Sequence, residues 1–151
     1  MPADIRPLRA EDHDAWSRLW ADYYRATTGE LPAEITNLTW ARFLDPTEPM
    51  EALGAFREGG EMLGFATLVF HRSTRLAGNT CYLEDLYVDQ TARRLGAGKA
   101  LLAAIVELAS RRAGRLYWIT RSDNEAAQKL YGEFADPSGF IHYRLKFDPF
   151  Q

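Results

Sequence analysis

The chain has 151 residues, of which 46% are hydrophobic and 26% are charged, and its 18 Lys and Arg against 21 Asp and Glu give a formal net charge of −3. This length predicts one domain with a sizeable core, and this composition excludes intrinsic disorder, collagen-like repeats and coiled coil. The charge supplies no net attraction toward nucleic acid or an anionic membrane, so neither is expected as a partner.

The sequence carries no sign of export or of a metal centre. No window reaches the roughly 18 consecutive apolar residues of a membrane span, and the N-terminus lacks the apolar core of a signal peptide, so we expect a cytoplasmic protein. The single cysteine, Cys81, lies in a strand-like run and is expected to be a buried structural thiol. The three histidines have no partner at metal-ligand spacing, which predicts that no metal is bound.

The N-terminal part predicts a short strand at residues 5–8 and a helix that begins near Asp12 and ends at Thr28-Gly29. Aromatic and aliphatic side chains recur in this helix at offsets 0, 3, 4, 7 and 8, which is one helical face. They are Trp16, Leu19, Trp20, Tyr23 and Tyr24. The pattern indicates core packing, with the alternative that part of the stripe forms the wall of a substrate pocket.

The remaining elements follow in an order typical of a mixed α/β domain. A second helix is predicted at 32–43, a β-hairpin at 51–57 and 62–71 around the turn 58–61, and a strand at 80–88. The clearest helix spans 96–112, where apolar residues again recur on one face. A strand at 116–120, a helix at 124–134 and a final strand at 140–147 complete the chain.

Residues 81–102, CYLEDLYVDQTARRLGAGKALL, join a predicted strand to the best helix through a basic turn that contains glycines. A helix N-terminus leaves main-chain N–H groups without partners, and Gly96 and Gly98 allow a ligand to approach that backbone closely. Positive charge surrounds the turn, from Arg93, Arg94 and Lys99. The segment therefore predicts an anion site suited to a pyrophosphate.

Two common phosphate-binding patterns do not match this turn. The P-loop needs Gly where the chain has Arg93 and a hydroxyl residue where it has Ala100. The dinucleotide pattern aligns with Gly96 and Gly98 but then meets Leu101, and the element order lacks a parallel βαβ start. What remains is the R-x-x-G-x-G pattern of residues 93–98.

This pattern resembles the coenzyme A pyrophosphate loop of the GNAT N-acetyltransferase superfamily. Residues 124–131, N-x-x-A-x-x-L-Y, resemble the second motif of that family. Within the superfamily, YLEDLYV and LYWITRSDNEAAQKLY look most like the small polyamine acetyltransferases and the yeast histone and polyamine acetyltransferases. The sequence departs from the family in one place, because Gly139-Phe140 lies eight residues beyond Tyr131 after a longer loop at 133–138.

The resemblance implies a single domain over residues 1–151, with a central, mostly antiparallel sheet that splays at the acetyl-CoA strand and about four flanking helices. It implies acetyl-CoA as cosubstrate and, for this subgroup, a homodimer. The backbone of Leu86, Tyr87 and Val88 would pair with the pantetheine arm, and the Val88 amide would stabilise the oxyanion. The implied coenzyme-binding residues further along are Arg93, Arg94, Leu95, Gly96, Ala97, Gly98, Lys99, Ala100, Asn124, Ala127 and Tyr131.

The resemblance also implies the chemistry, which is transfer of acetyl from acetyl-CoA to a primary amine by direct attack in a ternary complex. An ammonium group must lose a proton before it attacks, and Glu84 matches the position of the base, with Tyr131 as general acid. A water relay, an ordinary solvated Glu84 and a purely packing Tyr131 remain alternatives. Strand alternation would place Glu84 on the face of Tyr82 and Leu86, with Asp85 on the other face.

The acceptor amine stays open from the sequence, and so does a second class of function. A small-molecule amine, a polyamine, an amino acid and a lysine side chain all fit the resemblance. A non-catalytic acyl-CoA sensor or a partner-binding protein on the same fold is the alternative to an enzyme. Cys81 lies three residues before Glu84, on the opposite strand face, which argues against a covalent route through this thiol.

Overall fold

The computed structural model describes residues 3–151, which form two compact units, one that extends to Trp118 and a second from Ile119 to Gln151. The first unit is built on a five-stranded sheet in the order β1-β2-β3-β4-β5, in which β1 to β4 are antiparallel and β5 runs parallel to β4. Its elements are β1 (Asp4–Pro7), α1 (His13–Thr27), α2 (Ala33–Leu44), β2 (Met50–Phe56), β3 (Met62–Arg72), β4 (Asn79–Val88), α3 (Ala97–Arg112) and β5 (Arg115–Tyr117). The second unit contains α4 (Glu125–Tyr131). The mixed α/β fold class and a mostly antiparallel sheet are confirmed.

The hairpin of β2 and β3 forms the middle of the sheet, as the sequence predicted. Gly59 and Gly60 have φ values of +100° and +96° at the turn, a conformation that glycine adopts without steric cost. Residues 62–68 of β3 are buried without interruption, because helices cover both of its faces. Successive side chains of β3 therefore point to the α1 side and the α3 side in turn, and each residue of β4 shares the face of its partner on β3.

Helix α1 covers one face of the sheet with its aromatic stripe. Trp16, Leu19 and Trp20 are buried, and the Trp20 ring centroid lies 5.7 Å from that of Phe65 on β3. Trp40 of α2 packs against Trp16 at 4.9 Å, so α2 completes this layer. The first three stripe residues thus form core, as predicted, while Tyr23 and Tyr24 are only partly buried.

Helix α3 packs on the opposite face of the sheet. Its buried residues include Leu101, Leu102 and Ile105, which recur at helical spacing. Near its C-terminus, the Arg112 guanidinium lies 4.4 Å from the ring centroid of Phe70 and bonds to Glu51 at 3.0 Å. Since Phe65 meets α1 and Phe70 meets α3, the two helices lie on different sides of β3.

The predicted final strand is wrong. Residues 140–147 do not form a strand, although their apolar alternation is that of a half-buried strand. Regular strand structure requires a hydrogen-bonded neighbour, and no strand pairs with this segment among residues 3–151. Its large apolar side chains are instead exposed, from 76% at Phe147 to 89% at Phe140.

The link between β1 and α1 makes the stability of the fold dependent on pH. Arg6 donates two hydrogen bonds to the Asp12 carboxylate, at 2.8 and 3.0 Å, and the Arg9 amide donates a third at 2.7 Å. The bond from Arg6 is the main cause that lowers the pKa of Asp12. A carboxyl whose pKa is lower in the folded state stabilises the fold above its ordinary pKa, and this stability is lost as the pH falls through the folded value.

We expect Asp12→Asn to lower the free energy of unfolding at pH 7 by about 1.5–3 kcal/mol, because it weakens hydrogen bonds to a charged group. The variant should also show a flatter dependence of stability on pH between about 5 and 2. Urea unfolding across that range measures both effects. Asp14→Asn, at an exposed carboxylate two residues away, is the control and should behave like the parent chain.

Candidate active site

Strand β4 contains a β-bulge at Glu84. Thr67 of β3 lies opposite Asp85, but the next residue, Leu68, lies opposite Leu83, so Glu84 is an extra residue without a partner on β3. A bulge changes the alternation of the strand that contains it. Val69 lies opposite Tyr82, and Val69 and Thr67 share a face of β3, so Tyr82 and Asp85 also share a face although they are three residues apart.

This bulge corrects the predicted facing of the two carboxylates. Asp85 is not on the face opposite to Tyr82, because both lie on the α1 side of the sheet. Leu86 lies opposite Ala66 and is therefore on the α3 side, away from that face. The charges of Glu84 and Asp85 both act on the phenol of Tyr24, which agrees with two carboxylates on the α1 side.

Asp85 is the buried member of the pair. Its side chain accepts a hydrogen bond from the Tyr23 hydroxyl at 2.8 Å, and the residue is only 6% exposed. Burial raises the pKa of Asp85, and burial together with the charge of Asp85 raises the pKa of Glu84. Burial is also the main cause that raises the pKa of Tyr23 and Tyr24, so both phenols stay protonated.

An aromatic surface continues this face toward the start of β4. The rings of Tyr82 and Tyr117 stack with centroids 4.8 Å apart, and His71 Nε2 lies 2.6 Å from the Tyr117 hydroxyl oxygen. The sequence predicted no role for Tyr117 or His71 and gave no sign of the Tyr23–Asp85 bond. A carboxylate beside stacked aromatic rings is an arrangement that attracts an organic cation.

Strands β4 and β5 separate just before the bulge. Among the described residues, β5 pairs with β4 only at Thr80, Cys81 and Tyr82. From Leu83 to Val88, the main chain of β4 has no strand beside it on that side in the part of the chain that the structure describes. Exposed main-chain N–H and C=O groups at a sheet edge can bind an extended ligand, and Leu86, Tyr87 and Val88 lie on this stretch.

The turn after β4 leads directly into the start of α3. Asp89 Oδ1 accepts a bond from the Thr91 amide at 3.2 Å, which shapes the short 3₁₀ turn Gln90–Ala92. Arg94 and Gly96 have φ values of +72° and +80°, and the value at Arg94 is uncommon for a residue with a side chain. Helix α3 begins at Ala97, so the turn and helix start lie where the sequence predicted them.

Some main-chain amides of this turn already donate to carbonyls within it, and others are placed to donate to a ligand. The Ala100 amide donates to the Gly96 carbonyl at 2.9 Å, and the Leu95 amide to the Ala92 carbonyl at 3.4 Å. The amides of Ala97 and Gly98, in the first turn of α3, come before the bond from Ala100 and are donors of the kind that a helix N-terminus offers to an anion.

Arg93 joins the turn to β4. Its Nε donates to the Val88 carbonyl at 3.3 Å, and its guanidinium carbon lies 5.9 Å from the ring centroid of Tyr87. These contacts connect the arginine of the pattern to the end of β4, where the open main-chain edge lies. Arg93 thus links the two parts of the predicted coenzyme site, which are the open edge of β4 and the turn before α3.

The second unit places the residues of the other motif on and around α4. Asn124 is the N-cap of this helix, and its Oδ1 accepts a bond from the Ala127 amide at 3.1 Å. Tyr131 is the last residue of α4, and burial raises the pKa of its phenol. This capping bond satisfies one of the main-chain donors that the start of α4 leaves without a partner in the helix.

The buried thiol of Cys81 fits a structural role. It lies opposite Phe70, on the α3 side of the sheet, and burial raises its pKa to about 11. A thiol with this pKa stays protonated near neutral pH and is a poor nucleophile. In residues 3–151 no helix has the length and apolarity needed to cross a bilayer, and no cluster of three His, Cys, Asp or Glu side chains is arranged to hold a metal ion.

Comparison with known proteins identifies the family. The model of the acetyltransferase (GNAT) family matches residues 13–135, and the chain belongs to this family. It is 31% identical to the D-amino-acid N-acetyltransferase HPA3 of Saccharomyces cerevisiae over 142 residues, which cover 93% of this chain and 88% of the yeast protein. It is 33% identical to the aminoglycoside N(6')-acetyltransferase type 1 of Klebsiella aerogenes over 106 residues, 66% of each chain.

Solved structures agree with this assignment. The crystal structure of a probable acetyltransferase superposes with a TM-score of 0.81 at 27% identity and covers 95% of this chain and 97% of its own. These similarities support an N-acetyltransferase.

Proposed function

We propose that the protein transfers the acetyl group of acetyl-CoA to a primary amine by direct attack in a ternary complex. The observation that carries this proposal is the course of β4. One strand presents a carboxylate pair at its bulge, then an open main-chain edge, and then leads into the anion-binding start of α3. In this order the carboxylate pair would meet the acceptor amine, the open edge would meet the thioester and pantetheine arm, and the start of α3 would meet the pyrophosphate.

Coenzyme binding would use main-chain donors for the most part. The amides of Ala97, Gly98 and Lys99 would hold the pyrophosphate, with added positive charge from Arg94. The edge at Leu86, Tyr87 and Val88 would hold the pantetheine arm, and the Val88 amide would bond to the thioester oxygen as it gains negative charge. Donors that are fixed before the reaction need no reorganisation during it.

Glu84 is our candidate for the base. A primary ammonium with a pKa near 10 is almost fully protonated at pH 7, so a proton must leave before the nitrogen attacks. Desolvation by the surrounding protein and the charge of the neighbouring Asp85 raise the pKa of Glu84, which makes it a better proton acceptor than a glutamate of ordinary pKa, either directly or through a water. The nitrogen then bonds to the carbonyl carbon, and it releases its second proton to water as the carbon–sulfur bond breaks. Tyr131, whose raised pKa keeps it protonated, is the candidate that returns a proton to the thiolate.

The acceptor that fits this site best is a small cationic amine. The Glu84 and Asp85 carboxylates and the stacked rings of Tyr82 and Tyr117 lie on one sheet face, and this combination favours an organic cation. The names of two relatives, which act on D-amino acids and aminoglycosides, support a small-molecule amine over a lysine peptide. We also propose that residues 1–151 act as one catalytic domain in a homodimer.

A thiol-release assay with acetyl-CoA tests the proposal across D- and L-amino acids, polyamines, aminoglycosides and lysine peptides. We expect release that depends on an added amine, with one class clearly preferred. Tight binding of acetyl-CoA without any amine-dependent release would instead favour a sensor on the same fold. Radioactive acetyl retained on the denatured protein would contradict direct attack.

We expect Asp85→Asn to move the acid limb of the kcat/KM profile to lower pH. The negative charge of Asp85 raises the pKa of Glu84, so its removal lowers that pKa and Glu84 stays deprotonated to a more acidic pH. The asparagine oxygen can still accept the bond from the Tyr23 hydroxyl, so the geometry is kept. Profiles of kcat/KM from pH 5 to 9 measure the shift.

The control for this variant is Asp4→Asn, at an exposed carboxylate on β1. It removes the same charge from the chain at a distant place and should leave the profile in its original position. An acid limb that does not move in Asp85→Asn would show that Asp85 carries no charge that Glu84 experiences.

A further inference from the structure

The α1 side of the sheet carries a positive charge at the end that lies away from the carboxylates. His71 of β3 lies opposite Thr80 of β4, which in turn lies opposite Arg115 of β5. Residues an even number of positions apart share a face of a strand, so His71 lies on the same side as Thr67, the partner of Asp85. This face of the sheet therefore has a carboxylate at Asp85 and a guanidinium further along the strands at Arg115.

Arg115 is held by hydroxyl groups and not by a carboxylate. Its Nε donates to Thr80 Oγ1 at 3.3 Å, and its Nη2 donates to Ser73 Oγ at 3.1 Å. Within residues 3–151 no carboxylate pairs with this guanidinium, whereas Arg6 and Arg112 each pair with one. A hydroxyl accepts a hydrogen bond without neutralising the charge, and a guanidinium has five N–H donors. Arg115, which is exposed, therefore keeps charge and donors for an anionic ligand.

The stacked rings of Tyr82 and Tyr117 lie between the two charged ends and are held in a fixed orientation. His71 Nδ1 donates to the Arg72 carbonyl oxygen at 2.8 Å, because a carbonyl can only accept. In the neutral ring Nε2 is then the acceptor, so the Tyr117 hydroxyl donates to it at 2.6 Å. This bond fixes Tyr117, and stacking fixes Tyr82 against it. The ring pair thus forms a preorganised apolar surface on which an alkyl chain can pack.

Tyr117 experiences the charges at both ends of this face. Burial is the main cause that raises the pKa of its phenol, while the charge of Arg115 lowers this pKa and the charge of Glu84 raises it. His71 and Thr67 mark the two ends on β3 and are four residues apart. At about 3.3 Å per residue, they are separated by roughly 13 Å, so a ligand on the order of 10 Å long spans the charges.

We propose that the acceptor is an amino carboxylate whose amine and carboxylate stand at opposite ends of an alkyl chain. This inference rests on the proposed function, because the amine end lies where Glu84 can remove its proton. The carboxylate binds the Arg115 guanidinium, whose planar fork suits two parallel hydrogen bonds, and the chain lies across Tyr82 and Tyr117. A polyamine of the same length is disfavoured, because it places a second ammonium beside Arg115.

Matched pairs of amines test the proposal in the full chain. The pairs are ω-amino carboxylates of increasing chain length, each compared with its own carboxamide, which has the same length but no negative charge. We expect kcat/KM for the carboxylate to exceed that for the carboxamide by about 10-fold or more at one chain length. In Arg115→Gln the two substrates should be used equally. The control is Arg72→Gln, which removes the same charge from the other face of β3 and should keep the preference of the parent chain.

Isothermal titration of the same pairs, with coenzyme A present, measures binding without turnover. We expect the carboxylate of the best length to bind about 10-fold more tightly than its carboxamide, and Arg115→Gln to abolish the difference. Equal binding at every chain length, or a difference that persists in Arg115→Gln, would overturn the proposal. Acetylation of carboxamides with no carboxylate preference would overturn this inference and leave the proposed transfer activity in place, whereas preferential binding without acetylation would do the reverse.

Discussion

Glu84→Gln should reduce kcat/KM for the amine by about 10²- to 10⁴-fold at neutral pH, the usual contribution of a positioned general base. The glutamine is nearly isosteric, so the bulge and the coenzyme edge should be preserved. The loss should be larger at low pH than at high pH and should shrink as the pH approaches the pKa of the amine near 10, where the nucleophile loses its proton without help.

The shape of the pH profile separates this role from a structural one. The parent enzyme should keep a plateau of activity that ends as the pH falls through the raised pKa of Glu84, whereas the activity of the variant should fall continuously as the pH drops below the pKa of the amine near 10. Glu58→Gln, in the exposed hairpin turn, removes an equal charge and should leave both rate and profile unchanged. A Glu84→Gln profile parallel to that of the parent chain would assign the base to another group or to water alone.

Gly98→Glu should weaken acetyl-CoA binding by about 100-fold. Gly98 is the second residue of α3, so a carboxylate there stands among the first-turn amides that we assign to the pyrophosphate. Loss of one or two hydrogen bonds to a charged group, each worth about 1.5–3 kcal/mol, corresponds to a change of this size. Isothermal titration with acetyl-CoA measures it.

The same substitution should not destabilise the protein, because a negative side chain at a helix N-terminus is favourable. We therefore expect an unchanged or slightly higher melting temperature together with weak binding, a combination that damage to the fold would not produce. Ser110→Glu, near the exposed C-terminal end of α3, adds the same charge to the same helix and should bind normally. Normal affinity in Gly98→Glu would place the pyrophosphate elsewhere.

The elements that the sequence predicted correctly are those in which burial follows a regular pattern along the chain. Helix α1, the β2–β3 hairpin and α3 each bury one continuous face or strand, so their periodicity is visible in the chain itself. The turn into α3 was also predictable, because its chemistry depends on a few adjacent residues, Gly96 and Gly98 among them.

The failures concern relations between distant residues. The bulge at Glu84 depends on how β4 aligns with β3, and it is concealed because burial alternates regularly from Cys81 to Val88 across it. The Tyr23–Asp85 bond joins residues 62 positions apart, so it follows from topology and not from spacing. For the segment 140–147, the alternation predicted a strand, but no strand pairs with the segment among residues 3–151.

The extra residue in β4 has a consequence for how such a protein can diverge. Under the proposed function, Tyr82 on the α1 side of β4 would face the acceptor together with Tyr23 and Tyr24, whereas Leu86 to Gly98 would bind the coenzyme. Mutations of the acceptor-facing residues would then change which amine is modified without weakening the binding of acetyl-CoA. A lineage with this architecture is free to explore new nucleophiles while its donor half stays fixed.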